Sequence, residues 1–352
     1  MDAWIFQPGY PLVTVAREGG HLVLRQQRFT YLETPPPTTD TTGAPAPAGQ
    51  RWRVPVQVRV GRGGEATVHR LLLEDAEARL PLRDGTDALV VNEGGHGFYR
   101  VRYEGELLER LLARVPDLVP IERFNLVSDA WAVTAAGHAR LTDYLELTGR
   151  FRDERDRNVW SILIASFHAL NRLVVPGERP RLAAFVRDRV TPAATALGGE
   201  PRDGEDELTG QLRGDLIRAL GTLGDERALQ AAAAERYAAH GRGSAALDPN
   251  VLPAVIVVLA HAGDGARYEE FLARFRTATT PQEEQRYLYA LAAFQPRPQI
   301  EQTLARTLNG EIRTQDGPFV ARSLLTSVAA RELAWEFVKA NWDAMDRLYP
   351  KH

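Results

Sequence analysis

Phe98-Tyr99-Arg100-Val101-Arg102-Tyr103-Glu104-Gly105-Glu106-Leu107-Leu108-Glu109-Arg110-Leu111-Leu112 is where the chain changes its period. Up to Tyr103 the side chains alternate. Phe98, Arg100 and Arg102 fall on one face and Tyr99, Val101 and Tyr103 on the other, as in an amphipathic strand that packs one aromatic face. From Leu107 the apolar residues 107, 108, 111 and 112 draw a stripe down one side of a helix. Upstream, Leu12-Val13-Thr14-Val15, His21 to Leu24 and Val54-Pro55-Val56-Gln57-Val58-Arg59-Val60 also have period two, and about seven strand candidates can be counted. Glu18-Gly19-Gly20, Gly61-Arg62-Gly63-Gly64 and Asp84-Gly85 supply hairpin turns, the pattern of an antiparallel sandwich. Downstream, Glu106 to Val115 opens a series of helical segments: Ile121–Ala136, Leu141–Phe151, Val159–Val174, Arg181–Leu197, Glu207–Leu223, Glu226–Ala239, Val251–Ala262, Ala266–Thr277, Pro281–Phe294, Gln299–Leu308, Pro318–Ala329 and Glu332–Leu348. Asp225 is the expected N-cap of one helix, and Thr280 with Pro281, Gln282 and Glu283 caps another.

The expected fold class is therefore α+β and multidomain. A small antiparallel β-sandwich spans 1–104, with 33–50 as a mobile Pro-rich loop, and a large all-α array resembling HEAT and armadillo hairpins spans 105–352. The 352 residues are enough for two domains, and 44% hydrophobic with 25% charged residues describes an ordinary globular chain. A net charge of −3 gives no general field for gathering phosphates, so nucleic acid is not an expected partner. The amino terminus has no basic n-region and is cut by Pro8, Gly9 and Pro11, so no signal peptide is read there. The most apolar run, Val251 to Ala260, is about half of the roughly 20 residues that a membrane span needs and reads as a buried helix. No membrane partner is expected, and absence of cysteine suits a cytoplasmic setting.

The motifs of known chemistry are missing. A zinc peptidase helix needs two His four residues apart, and none of the eight histidines lies closer than 21 residues to another. No Gly-x-Ser-x-Gly elbow occurs. Glu93-Gly94-Gly95-His96-Gly97 lacks the Gly-Lys-Ser/Thr ending of a phosphate loop and precedes a strand, so a tight turn or bulge is the better reading. Trp131, Trp160, Trp335 and Trp342 sit in apolar helical stretches, and at least three of the four are expected to anchor the core.

Several strings resemble the zinc-dependent aminopeptidases of the aminopeptidase N and puromycin-sensitive type, in their carboxy-terminal half, with likeness to the endoplasmic-reticulum members. Trp4-x-x-Gln7-x-Gly9-Tyr10-Pro11-Leu12-Val13-x-Val15 resembles the junction into the family's sandwich, and Trp52-x-Val54-Pro55-Val56 one of its strands. Asn92 with Gly97-Phe98-Tyr99-Arg100-Val101-x-Tyr103 is similar to its last strand. Arg123-x-x-Leu126-x-x-Asp129-Ala130 and Leu333-Ala334-Trp335-x-Phe337-x-x-Asn341-Trp342 are similar to an early and a late helix of its helical domain.

The resemblance implies an incomplete enzyme, an excised fragment or a truncated gene product. The catalytic residues are expected on an absent upstream domain: no His-Glu-x-x-His exists, and Met1 and Met345 are both followed by Asp, so no Gly-x-Met-Glu-Asn exists either. This chain is thus expected to carry no catalytic residue, metal ligand or cofactor. Zinc belongs to the parent's catalytic domain, and the implied partners are that domain and peptides. The implied role is a bowl that gates and positions peptides over the parent's active site. Arg172, Arg286 and Arg322 are candidates for contact with a peptide tail, set against the plain reading of solvated helix faces. Arg123 and Asp129 are expected to form a buried structural pair, and Trp335 to be a structural anchor. The competing reading is a free-standing helical-repeat scaffold that binds a protein or peptide in its concave face.

Overall fold

A computed structural model describes residues 2–31, 49–62, 64–86 and 88–350, so all but the last two positions of the Pro-rich loop at 33–50 lie outside the described residues. The chain divides into two compact units, Met1–Leu163 and Ile164–His352.

The first unit opens with a single turn, α1 (Asp2–Ile5), followed by β1 (Pro11–Glu18), β2 (His21–Arg28), β3 (Val54–Arg62), β4 (Glu65–Leu73), β5 (Glu77–Pro81), β6 (Ala88–Val91) and β7 (Arg100–Tyr103). Two sheets form, in the orders β5-β2-β1-β7 and β4-β3-β6. Their inner faces share one core, in which Val13, Val15, Leu22 and Leu24 of the first meet Val54, Val56, Val58, Leu73 and Val91 of the second. Packing inward-facing alternate residues of two sheets in this way makes a sandwich. Glu18 pairs with His21 across Gly19-Gly20, so the first expected hairpin is present. Arg62 pairs with Glu65, which narrows the second hairpin turn to two residues.

Two expectations need correction. Asp84-Gly85 does not close a hairpin, because β5 belongs to one sheet and β6 to the other. The sandwich is also not wholly antiparallel: β7 runs parallel to β1, with Leu12 opposite Arg100 and Val15 opposite Tyr103. Alternation reports which face a residue takes and says nothing of strand direction. A parallel neighbour needs a connection longer than a hairpin, and β7 is reached by crossing between sheets through the glycine-rich turn.

That turn is built on left-handed backbone. Asn92, Gly94 and Gly95 have φ of 63°, 68° and 69°. The Asn92 side chain closes it, accepting from the Gly97 N–H (2.7 Å) and donating to the Gly97 carbonyl (3.1 Å). Gly97 is required by close approach: a Cβ there would lie 2.0 Å from the Tyr99 ring.

The helical series begins at Glu106, after Gly105 at φ 57°. The first unit holds α2 (Glu106–Leu112), α3 (Pro120–Ala135), α4 (Leu141–Thr148) and the start of α5 (Arg157–Leu173). The second unit contains the rest of α5 with α6 (Arg179–Leu197), α7 (Glu207–Gly221), α8 (Arg227–Gly241), α9 (Leu252–His261), α10 (Gly265–Thr277), α11 (Pro281–Leu291), α12 (Arg297–Arg306), α13 (Gly317–Thr326), α14 (Arg331–Ala340) and α15 (Trp342–Leu348). One helix more than expected appears, because Glu332–Leu348 breaks at Asn341. The Asn341 side chain donates to the Phe337 carbonyl, giving that end of α14 a partner outside the helix ladder.

α9 lies at the centre of the second unit's core, with Ala254, Val255, Ile256, Val258, Leu259 and Ala260 all buried. Beside it Phe271 meets Tyr237, Tyr287 and Phe294 edge to face at 5.8, 5.3 and 6.0 Å. Thr280 caps α11 as expected, its side chain accepting from Glu283. Asp225 does not cap α8. Glu226 does, while Asp225 sits at φ 43° and accepts from Gln230 and Arg227. No helix among the described residues is long and apolar enough to cross a membrane.

Candidate functional site

In the first unit, three carboxylates tie α3 to its surroundings. Glu122, buried on α3, accepts from Arg59 of β3 at 2.6 Å, from the Gly94 N–H at 3.2 Å and from the Val119 N–H at 3.2 Å. Asp129 accepts from the Val101 N–H at 2.9 Å and from Arg100 at 3.1 Å, so it caps the free edge of β7. Burial raises its carboxyl to about 7, against the pull of the Val101 N–H and Arg100. Arg123 is held by Glu154 through two bonds, at 2.6 and 3.0 Å, and donates to the Leu118 carbonyl.

The expected Arg123–Asp129 pair is therefore not formed; each residue has another partner. Six residues along a helix is about 600°, which leaves the two side chains on different faces, so the spacing itself argues against the pair. Trp335 is corrected as well. It is 53% exposed and Trp342 63%, while Trp160 is buried and Trp131 half-buried, so three core tryptophans are not found. The stripe of α14 that packs inward is Leu333, Ala334, Phe337 and Val338, and Trp335 lies off it with Lys339 over its ring.

The sandwich carries an aromatic patch. Phe98 lies 6.3 Å from the Trp4 ring and 5.5 Å from Tyr10, and Trp4 stands 6.4 Å from buried Trp52. Ile5, Phe6 and Phe98 are 62%, 80% and 73% exposed. Arg100 lies over the Tyr10 and Phe29 rings at 5.7 and 5.2 Å and anchors the inner edge of the patch.

The second unit carries a cationic patch around Arg172. His168 stands one turn before Arg172 on α5. Partial loss of hydration and the charges of Arg172 and of Arg218 on α7 hold the His168 imidazole, exposed on α5, below its usual range. Arg331, the first residue of α14, donates to the Arg172 carbonyl at 2.8 Å. No ion pair among the described residues engages Arg172, Arg218 or Arg331, and Leu173 and Val175 beside them are exposed. Arg286 on α11 and Arg322 on α13 are not joined to this patch by any hydrogen bond or ion pair among the described residues. His168, Arg218 and Arg331 were not singled out from sequence. Only His168 carried a signal, its four-residue spacing from Arg172.

α6, α7, α8 and α9 enclose a groove of about 450 Å³, lined by Ala194, Leu197, Ile217, Leu229, Ala232 and Val255 among others. Its charged rim is already paired: Arg213 holds Glu205 through two 2.6 Å bonds and donates to the Gly198 carbonyl, and Arg236 holds Glu200 at 2.6 Å. Among the described residues no group of three or more His, Asp or Glu side chains could hold a metal ion, so this donor set does not fit zinc.

A family model described as ERAP1-like C-terminal domain matches residues 88–352. Aminopeptidase M1 of Arabidopsis thaliana is 28% identical over 368 residues, which is 97% of this chain and 40% of that protein. Aminopeptidase M1-A of Oryza sativa subsp. japonica is 28% identical over 359 residues, 97% of this chain and 39% of that protein. Glutamyl aminopeptidase of Mus musculus is 26% identical over 351 residues, with 97% and 36% covered. The chain thus spans about 40% of the length of these relatives. The resemblance carried by the strand at Asn92–Tyr103 and by the helices at Arg123–Ala130 and Leu333–Trp342 holds at the scale of the domain, and the chain belongs to the ERAP1-like C-terminal domain family.

Proposed function

We propose that this chain is the non-catalytic C-terminal part of a zinc aminopeptidase, a sandwich followed by a HEAT-like helical bowl that gates and positions peptides for a catalytic domain. Family membership supports this reading, as do relatives named aminopeptidases that are more than twice as long. The observation that carries it is exposed Phe98 against the Trp4 and Tyr10 rings, with exposed Ile5 and Phe6 following Trp4 in the chain. Large apolar side chains grouped at the surface mark an interaction site in a soluble protein. The catalytic domain of the parent is the proposed occupant. Zinc and water activation would reside there, and this chain would contribute shape and binding.

In this reading the cationic patch at Arg172 receives a peptide's terminal carboxylate, with Leu173 and Val175 beside it for an apolar side chain. Arg286 and Arg322 are assigned contacts elsewhere on the peptide. The test is to produce the remaining 60% or so of a relative such as the Arabidopsis enzyme separately, mix it with this chain and measure co-elution and turnover of leucyl and alanyl amides. Turnover that rises on mixing, and falls again with Phe6→Asp and Phe98→Asp, supports the proposal. The chain alone is expected to hold no stoichiometric zinc and to leave the amides at background. Co-elution unaffected by those substitutions counts against it. The second reading, a free-standing scaffold that binds a peptide, draws support from the 450 Å³ groove, and it predicts peptide binding with no dependence on a catalytic partner.

A further inference from the structure

The chain contains seven asparagines, and only Asn309 is followed by glycine. The pair lies between α12 and α13 in the second unit, and both residues are exposed. The Asn309 carboxamide is turned along the main chain: its oxygen accepts from the Glu311 N–H at 3.0 Å, while its nitrogen has no partner among the described residues. Gly310 stands at φ 86°, and a Cβ built there would meet nothing within 4 Å, so the peptide link has open space around it. Asn92 and Asn341 differ. Their amide nitrogens are tied to the Gly97 and Phe337 carbonyls, and each is followed by a residue with a bulky side chain, Glu93 and Trp342. Glu311 in turn ties helices together. Its carboxylate accepts from Arg276 of α10 at 2.7 Å and lies 3.2 Å from Arg306, the last residue of α12, and Ile312 after it is buried in the unit's core.

The peptide nitrogen that follows an Asn can attack that residue's side-chain carbonyl carbon, and glycine removes the Cβ that would stand in the way. A carbonyl that accepts an N–H is polarised for such attack, and the same N–H steadies the charge that develops on its oxygen. We propose that Asn309-Gly310 is a self-modifying site, which deamidates in water and thereby ages the clamp at Glu311. Hydroxide takes the Gly310 N–H proton; the nitrogen bonds to Asn309 Cγ, the Cγ–Nδ2 bond breaks, and ammonia leaves with a proton from water, which restores the hydroxide. Water then opens the resulting five-membered imide. Opening at the side-chain carbonyl leaves an ordinary aspartate, whose carboxylate still accepts the Glu311 N–H. Opening at the main-chain carbonyl leaves isoaspartate, which adds one methylene to the backbone and pulls Glu311 and Ile312 out of register with α10 and α12. The two products have the same mass and different consequences.

The test incubates the full chain at pH 6 and pH 8 and follows the tryptic peptide Thr307–Arg313 by mass spectrometry, with a synthetic peptide of the same sequence beside it. Conversion is expected at Asn309 before any other asparagine, and at least about tenfold faster at pH 8, because the nucleophile is the deprotonated nitrogen. The folded chain should convert within about tenfold of the free peptide's rate, as a carboxamide already in position would. Asn309→Gln, whose longer side chain must close a less favourable ring, should stop the conversion. A folded chain that converts more than about a hundredfold slower than the peptide, the loss that a misplaced group suffers, overturns the site. So does a chain that converts first at another asparagine. Aged and fresh protein are then unfolded in urea. The isoaspartate fraction should unfold at lower urea than the fresh chain. Asn309→Asp, which carries the charge without the extra methylene, should keep the fresh midpoint. Equal midpoints for the isoaspartate and fresh forms, or an equal loss in Asn309→Asp, overturn the ageing of the Glu311 clamp.

Discussion

Asp129 makes two bonds that hold α3 to β7, and its burial has a pH signature. The folded carboxyl keeps its proton up to about 7, whereas an unfolded Asp releases it near 3.9. Between those values the folded state binds more protons, so the stability that this group contributes is fully present below about pH 4 and is lost as pH rises through about 7. Urea unfolding measured across pH 4 to 8 should show that slope, and Asp129→Asn should flatten it. Asp129→Ala leaves Arg100 and the Val101 N–H without their acceptor and should cost about 3 kcal/mol near neutral pH, measured in the same way. Gly97 is the second sensitive residue. An Ala there would place its Cβ against the Tyr99 ring and 2.9 Å from the Asn92 carboxamide oxygen that closes the turn. The expected cost is about 1–3 kcal/mol in denaturant midpoint, from overpacking. At this scale the sequence was legible wherever a residue answers to its neighbours in the chain, as in the Thr280 cap. It was not where partners come from another element. Glu154 and Arg100, which hold Arg123 and Asp129, are 31 and 29 residues away from them.

Elements were legible because each buries one face and so prints its period on the chain. The switch at Glu104, the split alternation of Phe98 to Tyr103 and the central position of α9 all follow from burial pattern. Direction and sheet membership do not print a period. Thus the parallel β1–β7 pair and the separation of β5 from β6 needed the three-dimensional structure. The break at Asn341 was hidden for another reason: the apolar spacing runs on through it, and a single Asn differs too little in helix propensity to announce an end. Caps are where local chemistry can be tested directly. The Thr280 side chain accepts from the Glu283 N–H, one of the four donors that a helix start leaves unpaired. Thr280→Ala should cost about 1 kcal/mol, and Thr280→Ser should recover most of it, in thermal or chemical unfolding.

At the scale of the molecule, core and surface make opposite demands on aromatic residues, and comparing them tests the proposed role. Phe271 is fully buried among Tyr237, Tyr287 and Phe294, where its loss leaves a cavity that the surrounding rings cannot close. Phe271→Ala should therefore cost about 3–5 kcal/mol in chemical unfolding. Phe6, 80% exposed, has little burial to lose, and Phe6→Asp should change stability by about 0.5 kcal/mol or less. If the patch served only the fold, a substitution this mild would have no further effect. If it receives a catalytic domain, the same change sets a charge in the middle of an apolar contact, where it must be stripped of water with no partner. Co-elution with a separately produced catalytic half should then fall at least tenfold for Phe6→Asp while the unfolding midpoint stays in place. A variant that loses stability and docking in proportion would instead make these aromatics part of the sandwich's own packing.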